Sequence, residues 1–454
     1  MPPRPPAIGI DFGTTNSSVA LATPMDSSAP PAVELVRFLA YDQACSASSR
    51  SILYLEKRKR STGTVIESFT GWSAIDRYMN RHHFGDASSD FEAHPGRLIQ
   101  SLKSYLAVRN LTGTEVFGRR FSIEELITRI VTDLRLAMER SIGHSLGADS
   151  IVVVGRPVRF VSSENPADDD YAIKRLTAAL ASAGLPQVTF LPEPVAAALA
   201  YESSLSEDEL ILIGDFGGGT SDFSLIRVGP SAQSLPNNQR IMGTAGLGFA
   251  GDAFDARLVR HLVSPALGSD SLARPAAKNI PAVPTWIYAN LERWHYLSFL
   301  RTRNVSEILR TARLRALEPE KIEALITLID EDLGYQLHQA VERTKIALSR
   351  HDTAEFIFDE PGLHLRTAVS RATFETWISP EIAAMGETID TLLASVHIEA
   401  RQVDRVFLTG GTSFVPAVRK IFDSRFTSAR VTVGEAFTSV AQGLALHAYS
   451  LSNS

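Results

Sequence analysis

Gly9–Leu21 reads GIDFGTTNSSVAL, and Gly214–Ile226 reads GDFGGGTSDFSLI. Both place Asp-Phe-Gly at the end of an apolar strand, then a threonine, then a return strand. The return runs, Ser17–Ala22 and Asp222–Val228, alternate in the period of two that marks a half-buried strand. Glycine at the turn lets the chain reverse within a few residues. The two segments therefore predict two β-hairpins. Their likeness, about two hundred residues apart, predicts an internal repeat with one copy in each of two lobes.

Around these hairpins, strand patterns alternate with helical ones. Phe121–Gly143 carries apolar residues at helical spacing behind a capping box of Ser122 and Glu125. Ser150–Val154 reads as a buried strand ending at Gly155-Arg156-Pro157, and Tyr171–Ser182 as a helix closed by Gly184. Val188–Leu191 is a strand pattern and Val195–Glu202 an alanine-rich helix. Later, Ala354–Phe358 and His364–Val369 predict paired strands, and Arg371–Leu393 predicts a helix. Arg405–Thr409 predicts a strand opening onto Gly410-Gly411, with helices over Val415–Phe426 and Val440–Tyr449. This alternation predicts α/β layers with partly parallel sheets. Between these runs lies a loop, Ser264–Thr285, containing Pro265, Pro275, Pro281 and Pro284, and then a long helical region from Trp286 to about Ser349. Its aromatic start, WIYANLERWHYL over 286–297, is expected either to be buried in its own subdomain or to dock a partner.

Hairpin turns built from Gly and Thr are suited to gripping a polyphosphate from both sides. Backbone N–H groups approach closely where side chains are missing, and hydroxyls add donors. Gly13, Thr14, Thr15 and Asn16 in the first turn, and Gly217, Gly218, Gly219 and Thr220 in the second, are the expected contacts. The acids at the strand ends, Asp11 and Asp215, are placed to hold magnesium largely through its water shell, because that hard cation takes oxygen ligands and keeps several waters. Glu193 lies between Pro192 and Pro194 ahead of a helix of small residues, where it either favours the helix dipole or faces a ligand. The double glycine Gly410-Gly411 leaves backbone open to a flat base or a ribose. Glu342, Lys345 and Ser349, at i, i+3 and i+7, share a helix face that is either a solvated ion-pair face or a ribose-binding one.

Composition narrows the classes further. At 454 residues, 44% hydrophobic and 21% charged, the chain can bury two or more proper cores. Its single cysteine, Cys45, cannot form an internal disulfide, which fits a reducing compartment, and the cytoplasm is expected. The opening MPPRPPAIGIDFG is neither a signal peptide nor a membrane span. With 45 basic and 51 acidic residues, net charge −6, the balance recommends neither nucleic acid nor anionic membrane as a partner.

Taken in order, these segments resemble the nucleotide-binding domain of the Hsp70 family. The likeness rests on GIDFGTTNSSVA from Gly9, Pro157 after its strand, LPEPVAAALAYE from Leu191, DFGGGTSDFS from Asp215, ERTKIALS from Glu342 and FLTGGTSFVP from Phe407. It covers essentially the whole chain. Sugar kinases and actin share the implied fold but not the Glu-Pro-x-Ala-Ala-Ala and Glu-Arg-x-Lys segments. The resemblance implies the α/β class and a duplicated actin-like ATPase fold, two lobes each with a core βαβ domain and a peripheral subdomain. Lobe I would span 1–207, with core 1–40 and 119–207 and peripheral subdomain 41–118. Lobe II would span 208–454, with core 208–250 and 352–430, a peripheral helical subdomain 251–351 and a C-terminal helix 431–454.

The same resemblance assigns roles. Asp11, Glu193, Asp215 and Asp222 look like the carboxylates that place magnesium and water, and Thr14, Thr15 and Gly217–Thr220 like the phosphate hairpins. Glu342, Lys345, Ser349, Gly410 and Gly411 look like the adenosine site of ATP or ADP. Lys103, in RLIQSLKSYLA, looks like the lysine that faces the γ-phosphate, with an exposed helix lysine as the plain alternative. Its distance in sequence from Asp11 exceeds the usual family interval and implies an enlarged peripheral subdomain. Thr220, beside the γ-phosphate, would be an alternative phosphoryl acceptor.

Three departures qualify the likeness. Where Hsp70s sandwich adenine with arginines, this chain has Ile346 and Phe414, leaving packing on Ile346 and stacking on Phe414 to hold the ring. The family's Gly-Gly-x-Asp-Phe-Asp segment reads Ala250-Gly251-Asp252-Ala253-Phe254-Asp255. The chain stops at Ser454, where the family continues into a linker and a β-sandwich peptide-binding domain, which points to the short YegD-like relatives of Hsp70. The expectation is a slow magnesium-dependent ATPase whose lobes open and close, chaperone-like without a peptide-binding domain, its movement read by an unidentified protein partner or client. The alternatives are a non-hydrolysing nucleotide-gated scaffold, an actin-like filament protein, and a small-molecule kinase of the same fold.

Overall fold

The computed structural model describes residues 7–24, 31–39, 45–60, 63–80, 96–147, 150–202, 205–232, 235, 237–274, 279–293, 300, 302–426, 431–433 and 439–452. The chain forms two compact units. One comprises Met1–Gly248, Glu387–Ser413 and Phe422–Ser454, and the other Phe249–Gly386 and Phe414–Ile421.

The first unit contains both predicted hairpins, each embedded in its own sheet. In one sheet the strand order is Val188–Pro192, Val152–Arg156, Ala7–Phe12, Asn16–Thr23, Ala32–Leu35. The first three are parallel, and the hairpin then makes the remaining pairings antiparallel. In the other sheet the order is Val431–Val433, Arg405–Thr409, Glu209–Phe216, Ser221–Val228, Ile241–Leu247, again three parallel strands followed by antiparallel pairings. The repeat read from two thirteen-residue segments thus extends to a five-strand order, and the architecture is mixed α/β.

Two alanine-rich helices, Glu193–Glu202 and Ser439–Ser452, share one core with both sheets. Ala20 and Val153 from one sheet, and Ile211 and Ile226 from the other, pack with Val195, Ala196, Leu444 and Ala448 of the helices. Small residues are what this packing requires. A Cβ on Gly443 would lie 1.7 Å from the Ala196 carbonyl oxygen, and one on Gly9 would lie 2.3 Å from the Ala445 amide nitrogen. A second core joins Ile8, Ile10, Val19 and Leu21 to the helices Ile123–Ile142 and Pro166–Ser182.

The capping box of Ser122 and Glu125 opens the helix Ile123–Ile142, with both reciprocal hydrogen bonds made. The next helix starts earlier than the apolar pattern from Tyr171 suggests. Asn165 caps it by accepting from the Asp168 amide, and Pro166 occupies the first turn, where its missing N–H leaves no bond unmade. A smaller sheet, Ile52–Arg60 between Gly63–Thr70 and Gly96–Gln100, with the helix Gly71–Met79, follows the first hairpin. It reaches that hairpin through the Ser51 amide, which donates to the Thr15 carbonyl at 2.9 Å.

In the second unit, the helical region expected from Trp286 to Ser349 separates into Thr285–Leu291, Arg303–Arg315, Pro319–Asp330 and Gly334–Arg350. The breaks have local causes: Ala316 is extended ahead of Pro319, and Asp332 takes a left-handed φ of 53°. Ile287, Tyr288 and Leu291 are buried, whereas Trp286 is 44% exposed. The rest of the aromatic stretch, including Trp294 and Tyr296, lies outside the described residues. Thr353–Glu360 and Leu363–Ser370 form the expected antiparallel pair. The single helix predicted over Arg371–Leu393 is two, Arg371–Trp377 and Ser379–Ser395, because Pro380 can open a helix but not continue one. Among the described residues no helix is long and apolar enough to cross a membrane.

Candidate functional site

Both sheets present a strand end with an acid. Asp11 is paired with Ser18 across the first hairpin, and Asp215 with Asp222 across the second. The first turn is tight, since a Cβ on Gly13 would stand 2.2 Å from the Asn16 carbonyl oxygen. Thr14 and Thr15 form that turn, and Asn16 opens the return strand opposite Arg50. The second turn closes through the Gly217 amide, which donates to the Thr220 carbonyl at 2.9 Å, with Gly218 and Gly219 between them. The Thr220 side chain, beside Asp222, works against the burial of that carboxylate.

Lys103 is not an exposed helix lysine. The strand Gly96–Gln100 runs into Ser101, held at a left-handed φ of 55°, and then into one 3₁₀ turn, Leu102–Tyr105. The Lys103 side chain is 7% exposed, and its Nζ donates to Glu193 Oε1 at 2.7 Å. Glu193 opens its helix from the end of Val188–Pro192. Gly155, on the adjacent strand, leaves room for it: a Cβ there would lie 3.1 Å from Glu193 Cγ.

The electrostatics follow from crowding. Burial, reinforced by Glu193 and Asp215 and partly relieved by Lys103, pushes the Asp11 carboxyl up to about 8. Burial, with Asp215 and Glu193, pushes Asp222 up to about 8 as well. Asp215 is also raised, chiefly by burial and further by Glu193, against the Thr409 hydroxyl, which donates to its Oδ1 at 2.6 Å, and against Lys103. Burial pulls the Lys103 ammonium down, yet Glu193, Asp11 and Asp215 outweigh it and hold the lysine above its ordinary value. The four acids therefore act on one another and on a single lysine.

That donor set fits a hard divalent cation. The acids repel each other in a part-buried place where added positive charge is favourable. Among the described residues no group of three or more His, Cys, Asp or Glu is set to ligate a metal directly. A magnesium ion placed at these carboxylates would therefore keep most of its water shell.

Thr409 escaped the sequence reading. It is the residue immediately before Gly410-Gly411, and its strand lies parallel to Glu209–Phe216 with Thr409 paired to Asp215. Given the parallel pairing, the Asp–Thr meeting could have been anticipated. Gly410 has a backbone reason of its own: its φ is 86°, and a Cβ would stand 1.9 Å from the Phe216 carbonyl oxygen.

The residues assigned to adenosine fall on both units. Gly410 and Gly411 belong to the first, and Glu342, Lys345, Ser349 and Phe414 to the second. Lys345 turns its Nζ onto Asp255 Oδ2 at 2.8 Å and the Gly251 carbonyl at 3.5 Å, linking its helix to the Ala250–Asp255 segment. Burial pulls this ammonium down, but Asp255, Glu342 and Asp252 raise it overall. Burial and Asp255 push Asp252 up to about 6. Ser349 donates to the Lys345 carbonyl at 3.0 Å. Ile346 and Phe414 are 44% and 56% exposed.

The sequence model of the family described as Hsp70 protein matches residues 7–272 and 321–454. A "Heat shock 70 kDa protein" of Trichophyton rubrum is 23% identical over 432 residues, covering 93% of this chain and 54% of the relative. A "Chaperone protein dnaK" of Cyanophora paradoxa is 23% identical over 420 residues, covering 91% of this chain and 55% of the relative. The chain thus spans about half the length of these curated relatives. A match that runs through both hairpins, both sheets and the helices packed on them makes this chain a member of the Hsp70 family.

Proposed function

We propose that the protein binds ATP and ADP with magnesium and hydrolyses ATP slowly, the change of nucleotide driving its lobes open and closed. The observation that carries this reading is the convergence of Asp11, Asp215, Asp222 and Glu193 on Lys103 at the ends of two hairpins of like topology. Magnesium would be held by Asp11 and Asp215, and it would supply neutralising charge to the phosphate oxygens. The turn amides and hydroxyls of Gly13–Asn16 and Gly217–Thr220 would take the phosphates. Lys103 would leave Glu193 for the γ-phosphate and stabilise the charge that develops on its oxygens. Glu193, released from the lysine, would then accept a hydrogen bond from the attacking water. Water adds to the γ-phosphorus as the bond to ADP breaks, and its proton passes to Glu193, the carboxylate that already accepts its hydrogen bond.

The output would be chaperone-type work through a protein partner or client that reads lobe movement, a role suggested by the names of the relatives. A lone cysteine, Cys45, supports a reducing, cytoplasmic setting. The Lys103–Glu193 ion pair favours a second reading, a nucleotide-gated module that binds without hydrolysing, should the phosphate fail to draw the lysine away.

The test is single-turnover conversion of ATP to ADP with magnesium in wild type, Lys103→Ala and Asp215→Ala, with binding followed by calorimetry. Turnover in wild type, slowed about 10²-fold or more in both variants that still bind, supports hydrolysis. ATP that binds and survives intact in all three overturns it in favour of the second reading.

A further inference from the structure

The segment that carries Lys103 has little structure of its own. Around its single 3₁₀ turn the backbone bonds are of the short i to i−3 kind: Ser104 to Ser101 at 3.0 Å, Leu106 to Lys103 at 3.2 Å, Val108 to Tyr105 at 3.2 Å and Leu111 to Val108 at 3.2 Å. Such turns hold their geometry poorly without outside support. Leu102, Leu106 and Ala107 anchor the segment in the hydrophobic core, and one guanidinium fixes its backbone. Arg175, 5% exposed on the helix Pro166–Ser182, donates Nη1 to the carbonyls of Tyr105 at 3.1 Å and Leu106 at 3.2 Å, and Nη2 to that of Leu111 at 3.3 Å. Its Nε is held by the Glu124 carboxylate, in the first turn of the neighbouring helix.

A second fastening lies on the same helix face. Arg109 of the segment donates Nε to Asp168 Oδ1 at 2.8 Å and Nη2 to the Ala167 carbonyl at 2.9 Å. Between the two arginines stands the Tyr171 ring, 4.9 Å from the Arg109 guanidinium carbon and 5.4 Å from that of Arg175. Asp168, Tyr171 and Arg175, at i, i+3 and i+7, thus form one stripe that grips the segment from Tyr105 to Leu111.

We propose that Arg175, backed by Glu124 and assisted by the Arg109–Asp168 pair, is a positioning residue that sets where the Lys103 ammonium stands. The inference rests on the reading of Lys103 as the group that meets the γ-phosphate. The chemistry needs arginine, whose planar fork satisfies several buried carbonyls at once while keeping a donor for Glu124. Lysine offers one compact ammonium and cannot span the same acceptors.

The test uses the full chain with Arg175→Met and Arg175→Lys, read in three ways. Hydrogen exchange of peptides covering 101–112 is compared with those covering 7–12, acetylation of Lys103 by a water-soluble amine reagent is followed across pH, and single-turnover ATP hydrolysis is measured beside nucleotide binding. In Arg175→Met, exchange over 101–112 and Lys103 labelling rise about tenfold or more while 7–12 stays protected. Turnover falls about 10- to 100-fold with binding held within about twofold, as expected when a catalytic group is misplaced by an ångström or so. Arg175→Lys lies between wild type and Arg175→Met. Should Arg175→Met fail to fold, Arg109→Gln, at the more exposed fastening, gives the same pattern at smaller size. Folded variants with wild-type exchange and labelling overturn the proposal. If wild type binds ATP without hydrolysing it, the hydrolytic reading alone fails, and exchange and labelling still decide whether Arg175 positions Lys103.

Discussion

The two hairpins share a register, but different surroundings equip them. Across the first, Asp11 faces Ser18; across the second, Asp215 faces a second acid, Asp222. Gly13 is pressed against the backbone of its turn, whereas a Cβ on Gly217 would stand 3.6 Å from the Thr220 carbonyl and one on Gly219 would meet nothing within 4 Å. Asp215 is steadied by Thr409 from a parallel neighbour in its own sheet. Asp11 is steadied by Lys103, whose segment follows a separate small sheet. Even the matching glycines differ: Gly9 meets the backbone of the helix Ser439–Ser452, and Gly214 meets the side chains of Phe216, Leu408 and Phe422. A repeated backbone preserves the strand order because its hydrogen-bond ladder is indifferent to most side chains. The chemistry around it is supplied from elsewhere in the chain and is free to diverge.

The widest gap should open between those two glycines. Gly9→Ala puts a Cβ 2.3 Å from Ala445 N and 2.4 Å from Ala441 O, atoms of a helix backbone that cannot step aside. It is expected to lose about 3 kcal/mol or more, or to leave no folded protein. Gly214→Ala meets Phe216 Cε2 at 3.1 Å and Leu408 Cδ2 at 3.3 Å, side-chain atoms with room to yield, and should lose about 1 kcal/mol. Urea midpoints decide the matter, and equal losses would break the distinction.

The acids come next. A carboxyl raised in the folded state favours folding below its unfolded value near 4, and that contribution is lost as pH rises through the folded value. For Asp11 and Asp222 the window runs from the ordinary carboxyl value of 3.8 to about 8. Asp11→Asn and Asp222→Asn should therefore leave metal-free stability unchanged near pH 4 and raise it at pH 9 by about 1–2 kcal/mol, after discount for partial exposure. Magnesium with nucleotide should narrow the difference by supplying the missing charge. Thermal melts across pH test this, and a gain at pH 4 as large as at pH 9 would contradict it.

The smallest effect belongs to Thr409→Val, which removes the donor to Asp215 and should lose about 1 kcal/mol in thermal melts. Thr409→Ser, which keeps the hydroxyl, should recover most of it. Equal losses in both variants would mean that packing, not the hydrogen bond, sets the difference.

The legible parts of this protein are those whose causes lie within a few residues. Alternation over Ser17–Ala22, the capping box of Ser122 and Glu125, and the apolar run Arg405–Thr409 each announce their element, because pleating and capping involve near neighbours. Where the reading overran, as in the helices expected through Ala316 and Pro380, the periodic pattern continued past residues that interrupt the backbone. The repeated Asp-Phe-Gly turn was enough to expect a duplicated α/β frame, and the motifs in order were enough to expect the family.

Nothing in RLIQSLKSYLA shows that Lys103 is buried against Glu193, ninety positions away, or that Arg175 holds its segment in place. Nor does an Asp at a strand end reveal that its carboxyl sits near 8. Those properties depend on which distant segments packing brings into the same small volume, where desolvation and neighbouring charge act over several ångströms regardless of separation along the chain. The sequence by itself determined the frame and which acids and lysine stand at its strand ends and turns; tertiary structure decided their partners, their protonation and the support that holds them.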